Sequence, residues 1–432
     1  MMKRVGVIAA AAMLYSGLAQ AATEIEWWHA MGGSLGEKVE EIAKKFNESQ
    51  GEYTVKPVYK GNYTETMTAA IAAFRAREQP HIVQVFEVGT ASMMAAKGAV
   101  YPVHELMADA GEAFDQSAYL PAVISYYTDT DNKLLSLPFN SSTPVLWYNQ
   151  DLLDKAGIAE VPTTWGGVYH AATKLKEAGH DCAISFGWQS WVMIENMSAW
   201  HNLPIGTKAN GFEGTDTEFT FNNDTIVGLL QRLRDSMADG TFKYGGRRGE
   251  SLPLFVTGEC AMWMNSSAYY ASIQDQAKFR FGQAMLPYSA SVVEKPQNSI
   301  IGGATLWVLR GHEAPEYKGV ARFFKFMSSA EIQADWHQFT GYAPITTAAY
   351  ELSKEQGWYE KNPGTDTAIK QLSLNTPTPN SKGLRFGNFV QIRDIINEEM
   401  EAIWAGQKDA RTALNDAKAR GDELLRKFEK TN

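Results

Sequence analysis

The chain has 432 residues, with 40 Lys and Arg against 49 Asp and Glu, for a formal net charge of −9. An acidic chain without a basic tract excludes nucleic acid as a partner, because a phosphate backbone demands clustered cations. That length exceeds what one hydrophobic core spans, so two domains or lobes are expected.

The first residues read as an export signal. Lys3 and Arg4 precede an apolar run from Val5 to Leu14, and Ala19-Gln20-Ala21 supplies a small-x-small cleavage site. The run is short for a bilayer span, an uncleaved anchor being the alternative reading. Residues 1–21 are therefore set aside as a signal peptide. No later stretch is long and apolar enough to cross a membrane.

From Ile25 to His29 an aromatic, apolar strand is expected. After Gly32 and Gly33, Ser34 can cap a helix whose Leu35, Val39, Ile42 and Phe46 share one face. Tyr53 to Tyr59 alternates as a strand. Asn62 and Glu65 form a capping-box start for an alanine-rich helix running to about Arg77. Pro80 breaks it, and His81 to Phe86 is the next strand. Strand–helix–strand–helix–strand is α/β logic with parallel strands.

The alternation returns with a helix over Trp165 to Ala178, a strand over Ala183 to Trp188, a helix over Thr225 to Ala238 and a strand over Cys260 to Met264. A strand over Ala304 to Leu309 leads into a helix over Glu316 to Ser328. The chain is helical and charged from about Gly387. Cys182 and Cys260 each sit in an apolar strand. If those strands are neighbours the pair can bridge; otherwise both are buried thiols. Neither they nor the eight histidines show metal-ligand spacing, so no metal or cofactor is expected.

The sequence carries no nucleophile elbow, phosphate-binding loop, His-Glu-x-x-His or Cys-x-x-Cys, and nothing points to an enzyme. Polar and aromatic residues instead gather at element ends: Lys60-Gly61-Asn62-Tyr63, Phe86-Glu87, Asn140-Ser141-Ser142, Gly187-Trp188-Gln189-Ser190-Trp191, Asn265-Ser266, Gly302-Gly303 and Gly341-Tyr342. In open α/β sheets ligands bind outside the carboxyl ends of strands, and hydroxyls, freed backbone N–H groups and helix starts suit an oxyanion. Taken singly, each is also ordinary turn chemistry.

Arg393 interrupts a helical stripe of Phe389, Ile396 and Met400 with no acid three or four residues away. A guanidinium on an apolar face needs a partner. That partner is either an anionic ligand, through the planar fork, or a carboxylate distant in sequence. Trp188 and Trp191 suit stacking on a polyol or a quaternary ammonium, or simple packing between lobes. Glu87 can accept from ligand hydroxyls, or sit as a surface acid.

Tyr59-Lys-Gly-Asn-Tyr63, Glu87-Val-Gly-Thr90, Pro138-Phe-Asn-Ser-Ser-Thr-Pro-Val145, Ile300-Ile-Gly-Gly-Ala304, Gly341-Tyr342-Ala-Pro-Ile345 and Gly387-Asn388 ahead of Gln391-Ile392-Arg393 carry a resemblance. Over essentially the whole chain after residue 21, the sequence resembles the periplasmic glycerol-3-phosphate-binding proteins of bacterial glycerophosphate ABC importers. That family lies in the wider class that includes maltose-binding protein. The resemblance implies an α/β, two-lobed periplasmic binding fold with a central cleft and strands crossing between lobes. The expected lobes are residues 22–138 with 287–345, and 139–286 with 346–432.

It further implies a periplasmic monomer that closes on glycerol 3-phosphate or a glycerophosphodiester and delivers it to the permease of an ABC importer. By the same resemblance the ligand site maps onto Tyr63, Glu87, Ser142, Trp188, Ser266, Gly303, Tyr342 and Arg393, with Trp191 as a second aromatic. Arg393, the serines, both tyrosines and the Gly303 N–H are expected to serve the phosphate, and Glu87 the glycerol hydroxyls. Trp147 departs from a tyrosine that the family can carry, and Trp263-Met264-Asn265 from smaller polar residues. The competing reading within this fold is an oligosaccharide binder, in which Arg393 is a structural ion pair. A phosphodiester hydrolase would need a metal or an activated nucleophile, and the sequence offers neither.

Overall fold

The computed structural model describes residues 22–96 and 98–432; the expected signal peptide lies outside the described residues. Ten strands carry the architecture: β1 (Thr23–His29), β2 (Tyr53–Tyr59), β3 (Ile82–Phe86), β4 (Val100–Tyr101), β5 (Leu137–Ser142), β6 (Pro144–Asn149), β7 (Cys182–Phe186), β8 (Cys260–Ser266), β9 (Phe281–Ala284) and β10 (Gly302–Leu309). They form two sheets. The first runs β2-β1-β3-β10-β4, with β5 also on β10; the second runs β7-β8-β6-β9.

β1 pairs in parallel with both β2 and β3, as the opening alternation predicts. The helix Gly33–Ser49 between them buries Val39, Ile42 and Phe46. Its cap is Gly32, with no side-chain bond, so the expected cap at Ser34 falls inside the first turn. The helix Tyr63–Ala76 starts with the full capping box: Asn62 accepts from the Thr64 and Glu65 amides, and Glu65 accepts from the Asn62 amide. It ends at Arg77, in the left-handed region at φ 64°.

β10 departs from the parallel pattern. It is antiparallel to β3, β4 and β5, because it returns from the second sheet. β5 pairs with β10 along its length, while β6 pairs with β8 and β9. The chain therefore changes sheets at Thr143. It returns between Ala284 and Gly302, and leaves again after the bridge between Ser141 and Ala343.

β7 and β8 are parallel neighbours, and Cys182 faces Cys260 in register. Of the two readings left open, the bridge holds: the two cysteines are joined in a disulfide. The helices Phe389–Trp404 and Ala410–Thr431 close the second lobe. The first of them buries Phe389, Ile392, Ile396 and Met400, so the stripe around Arg393 is indeed an inward face.

Candidate functional site

The two lobes enclose a cavity of about 240 Å³. Tyr63, Glu87, Ser142, Trp188, Ser266, Gly303, Tyr342 and Arg393 all line it, as does Trp191. Residues scattered through the sequence meet there because both sheets direct their strand ends at the same gap.

The first lobe supplies hydroxyls and one acid. Tyr63 opens its helix, its ring stacked on Phe86 at 5.3 Å between centroids. The Asn140 side-chain amide donates to the Tyr63 hydroxyl at 2.9 Å and in turn accepts from Gln84 at 2.7 Å. Desolvation pushes the Tyr63 and Tyr342 hydroxyls well above and above their ordinary range, so both stay protonated donors near neutral pH. Ser142 ends β5 opposite Gly302, and Gly303 sits beside it at φ +104°. A Cβ at Gly303 would come within 2.0 Å of the Asn140 carbonyl oxygen, so only glycine fits this kink in the ladder. Glu87 begins a short helical turn directly after β3 and is buried.

The second lobe supplies the aromatic wall and the cation. Trp188 lies just beyond β7 and not within it, held in the left-handed region at φ +46°. For so bulky a residue that is a strained backbone. Its amide donates to the Arg248 carbonyl at 2.9 Å, which keeps the turn in place. Trp191 packs so closely on β10 that a Cβ at Gly302 would meet its ring at 2.4 Å, and its indole nitrogen is buried without a partner among the described residues. Ser266 caps the next turn by accepting from the Ala268 amide at 3.1 Å, leaving its own proton to give. Trp147 donates to the Ser266 carbonyl at 3.2 Å, and Trp263 to Ser251 at 2.9 Å. Trp147 and Trp263 are thus fully buried behind the site and are not among the residues that line it.

Arg393 answers the question its helix posed. Its Nε and Nη2 donate to Glu195 at 2.9 and 2.6 Å, and Nη2 also donates to Glu87 at 2.7 Å. The distant carboxylate of the salt-bridge reading is therefore present, while Arg393 also lines the cavity, with Nη1 outside these bonds. Burial pulls the Arg393 pKa down, but the two carboxylates more than offset this and hold it above its ordinary value. Burial raises the Glu195 carboxyl; Arg393 opposes that rise and Glu87 adds to it. Glu87, expected to serve glycerol hydroxyls, and Arg393, expected to serve the phosphate, are in direct contact.

Glu195 is the residue sequence reasoning missed. It stands alone in the apolar run Trp191-Val-Met-Ile-Glu195-Asn-Met, on a wide helical turn over Trp191–Asn196. An acid in such a run demands a partner for the same reason as Arg393 does, and that signal was legible. Elsewhere, His81, His312 and Glu316 come close enough to suggest a metal cluster. His81 Nδ1 accepts from the Glu26 amide at 3.0 Å, however, so its proton sits on the nitrogen facing the cluster, which is no ligand.

Residues 41–367 match the family described as bacterial extracellular solute-binding protein. The sn-glycerol-3-phosphate-binding periplasmic protein UgpB of Yersinia pseudotuberculosis is 49% identical over 432 residues, covering 99% of this chain and 98% of that protein. The protein of the same name from Pectobacterium atrosepticum is 50% identical over 421 residues, covering 97% and 95%. Among solved structures, UgpB from Mycobacterium tuberculosis in complex with glycerophosphocholine superposes with a TM-score of 0.77 at 19% identity, over 94% of this chain and 99% of that one. The GacH receptor of Streptomyces glaucescens gives 0.78 at 19% identity, over 94% and 99%. At such identity these structures speak for the two-lobed fold they share with maltose-binding proteins. By the matched family and by its full-length relatives, the chain belongs to the bacterial extracellular solute-binding proteins, a family of transport receptors and not of enzymes.

Proposed function

We propose that this protein captures glycerol 3-phosphate, or a glycerophosphodiester such as glycerophosphocholine, in the periplasm. As a monomer it closes around the ligand and hands it to the permease subunits of an ABC importer in the inner membrane. The observation that carries this reading is the convergence of all eight mapped residues on one cavity. The relatives that share the chain's full length are named for glycerol 3-phosphate binding, which gives the same reading.

The lining suits a polyol phosphate. Arg393 Nη1, the Ser142 and Ser266 hydroxyls, the two tyrosine hydroxyls and the Trp191 indole are donors for phosphate oxygens. Glu87, acceptor-only when ionised, suits a glycerol hydroxyl even while it faces Arg393. At about 240 Å³ the cavity is smaller than sites for drug-sized ligands, ~300–1,000 Å³, which favours a compact solute over an oligosaccharide.

Because donors come from both lobes, ligand binding and closure are one event. Observed affinity is reduced by whatever fraction of the free protein is not competent to close. Titration calorimetry with glycerol 3-phosphate, glycerophosphocholine and maltose tests the reading. Heat from either glycerophosphate compound with maltose silent is expected. Heat from maltose alone would keep the fold and overturn the ligand.

A further inference from the structure

Two carboxylates share one guanidinium in this site. Glu195 and Glu87 both accept from the same nitrogen, Arg393 Nη2, at 2.6 and 2.7 Å. All three side chains are nearly inaccessible: Arg393 is 7% exposed, Glu87 5% and Glu195 1%. With both acids ionised the cluster carries one net negative charge. Adding an anion there places like charges together where little water screens them, and that is costly.

We propose that an anionic ligand entering this cavity is accompanied by a proton, and that Glu195 is the group that takes it. The inference rests on the phosphate-bearing ligand proposed above. The proton comes from solvent and converts the Glu195 carboxylate to the acid. It then leaves Arg393 with one carboxylate partner fewer and a charge available to the ligand.

Geometry selects Glu195 over Glu87. Glu87 reaches Arg393 from the other lobe through a single bond, to Nη2. Glu195 lies inside the wide turn Trp191–Asn196 and, among the described residues, accepts two bonds from Arg393 and none from another side chain. The charged and titratable groups that face Glu195 are Arg393 from the helix Phe389–Trp404, Glu87 from the first lobe, and the Tyr126 hydroxyl. Burial raises its carboxyl above the ordinary range, which favours the protonated form.

Glu195 is thus a positioning residue. Its segment is pinned to the rest of the protein: Gln189 donates to the Asn397 carbonyl at 3.2 Å and accepts from the Trp404 indole at 2.7 Å, and Asn196 accepts from the Ile300 amide at 3.0 Å. When the lobes part, Glu87 leaves with the first lobe, and Glu195 keeps Arg393 paired and aimed at the gap.

Calorimetry of wild-type protein with glycerophosphocholine, at one pH in buffers of different ionisation enthalpy, counts the protons. This diester has no group that titrates near neutrality. Net uptake of about half a proton or more per ligand is expected, with affinity rising as pH falls, by at most about tenfold per pH unit. Glu195→Gln is expected to bind more tightly than wild type near pH 8, to match it in acid, and to take up no proton. Should that variant fail to fold, infrared difference spectra of the wild type replace it, a protonated-carboxyl band appearing with ligand being the expected result. Binding by the wild type without proton uptake, or uptake that survives in Glu195→Gln, overturns the inference. No binding of the glycerophosphate compounds overturns the ligand assignment, and this inference with it.

Discussion

Glu87 and Arg393 meet across the gap between the lobes, Oε1 to Nη2 at 2.7 Å, one from the end of β3 and the other from the helix Phe389–Trp404. The contact ties the end of the first sheet to the helix that closes the second lobe.

Replacing Arg393 by alanine removes the cation from two buried carboxylates at once. Loss of ligand affinity by about 3 kcal/mol or more is expected by calorimetry. The variant should also be less stable by about 3–5 kcal/mol near neutral pH, because uncompensated charges stay buried. Burial raises the Glu195 carboxyl, and without Arg393 nothing opposes that rise, so the deficit shrinks as pH falls. Urea unfolding at pH 7 and at about pH 5 checks this. An equal deficit at both would show that the loss is packing and not charge.

Trp188 separates binding from stability. Asparagine adopts the left-handed backbone at little cost, so Trp188→Asn relieves strain while deleting the aromatic wall. Ligand affinity should fall by about tenfold or more, while unfolding free energy changes by less than about 1 kcal/mol as relief offsets lost burial. Parallel calorimetry and thermal melts read the two separately. Retained affinity would remove Trp188 from the ligand's surroundings.

The disulfide closes a long loop, Cys182 and Cys260 being separated by 78 residues. In the chain-entropy account that is worth about 4.5 kcal/mol. Replacing both cysteines by alanine should lower stability by an amount of that order. Because β7 and β8 lie within one sheet, ligand affinity of the folded protein should be unchanged.

His337 makes the protein sensitive to acid. Nδ1 meets the Tyr342 carbonyl at 2.5 Å and Nε2 the Tyr359 hydroxyl at 2.9 Å, an arrangement suited to the neutral ring. Burial brings its pKa down from 6.5 to about 4, against the pull of the carbonyl. The unfolded chain therefore takes up this proton first. Stability is fully present above about pH 6.5 and is lost as pH falls toward about 4, by up to about 3 kcal/mol. His337→Gln should flatten that part of a stability–pH curve measured by urea unfolding; an unchanged slope would assign the sensitivity elsewhere, His29 included, whose pKa is also lowered to about 4.

The opening alternation of strands and helices was legible because each element is set by local chemistry. The Asn62–Glu65 box and the Val39–Ile42–Phe46 stripe both act within a few residues. The place of β10 was not, since its partners β3, β4 and β5 lie far away in sequence. The site residues were legible as strand ends and as a resemblance, and they do gather on one cavity. Their pairing was not. The Glu195–Arg393 contact spans 198 positions, and only the general demand that a buried charge be matched pointed to it. The turn at Trp188 was read as strand because its residues are apolar and aromatic; its backbone is fixed by Arg248, which no local pattern reveals.

β10 lies inside the first sheet, between β3 on one flank and β4 and β5 on the other, yet it is the last strand in the chain. A growing polypeptide therefore makes both edges of that sheet long before it makes the middle. Until residues 302–309 emerge, β3 and β5 have no common neighbour, and the second sheet, complete by Ala284, precedes the first. The order of completion is thus the reverse of the order of synthesis. The first sheet lacks its inner strand until nearly three-quarters of the chain is available.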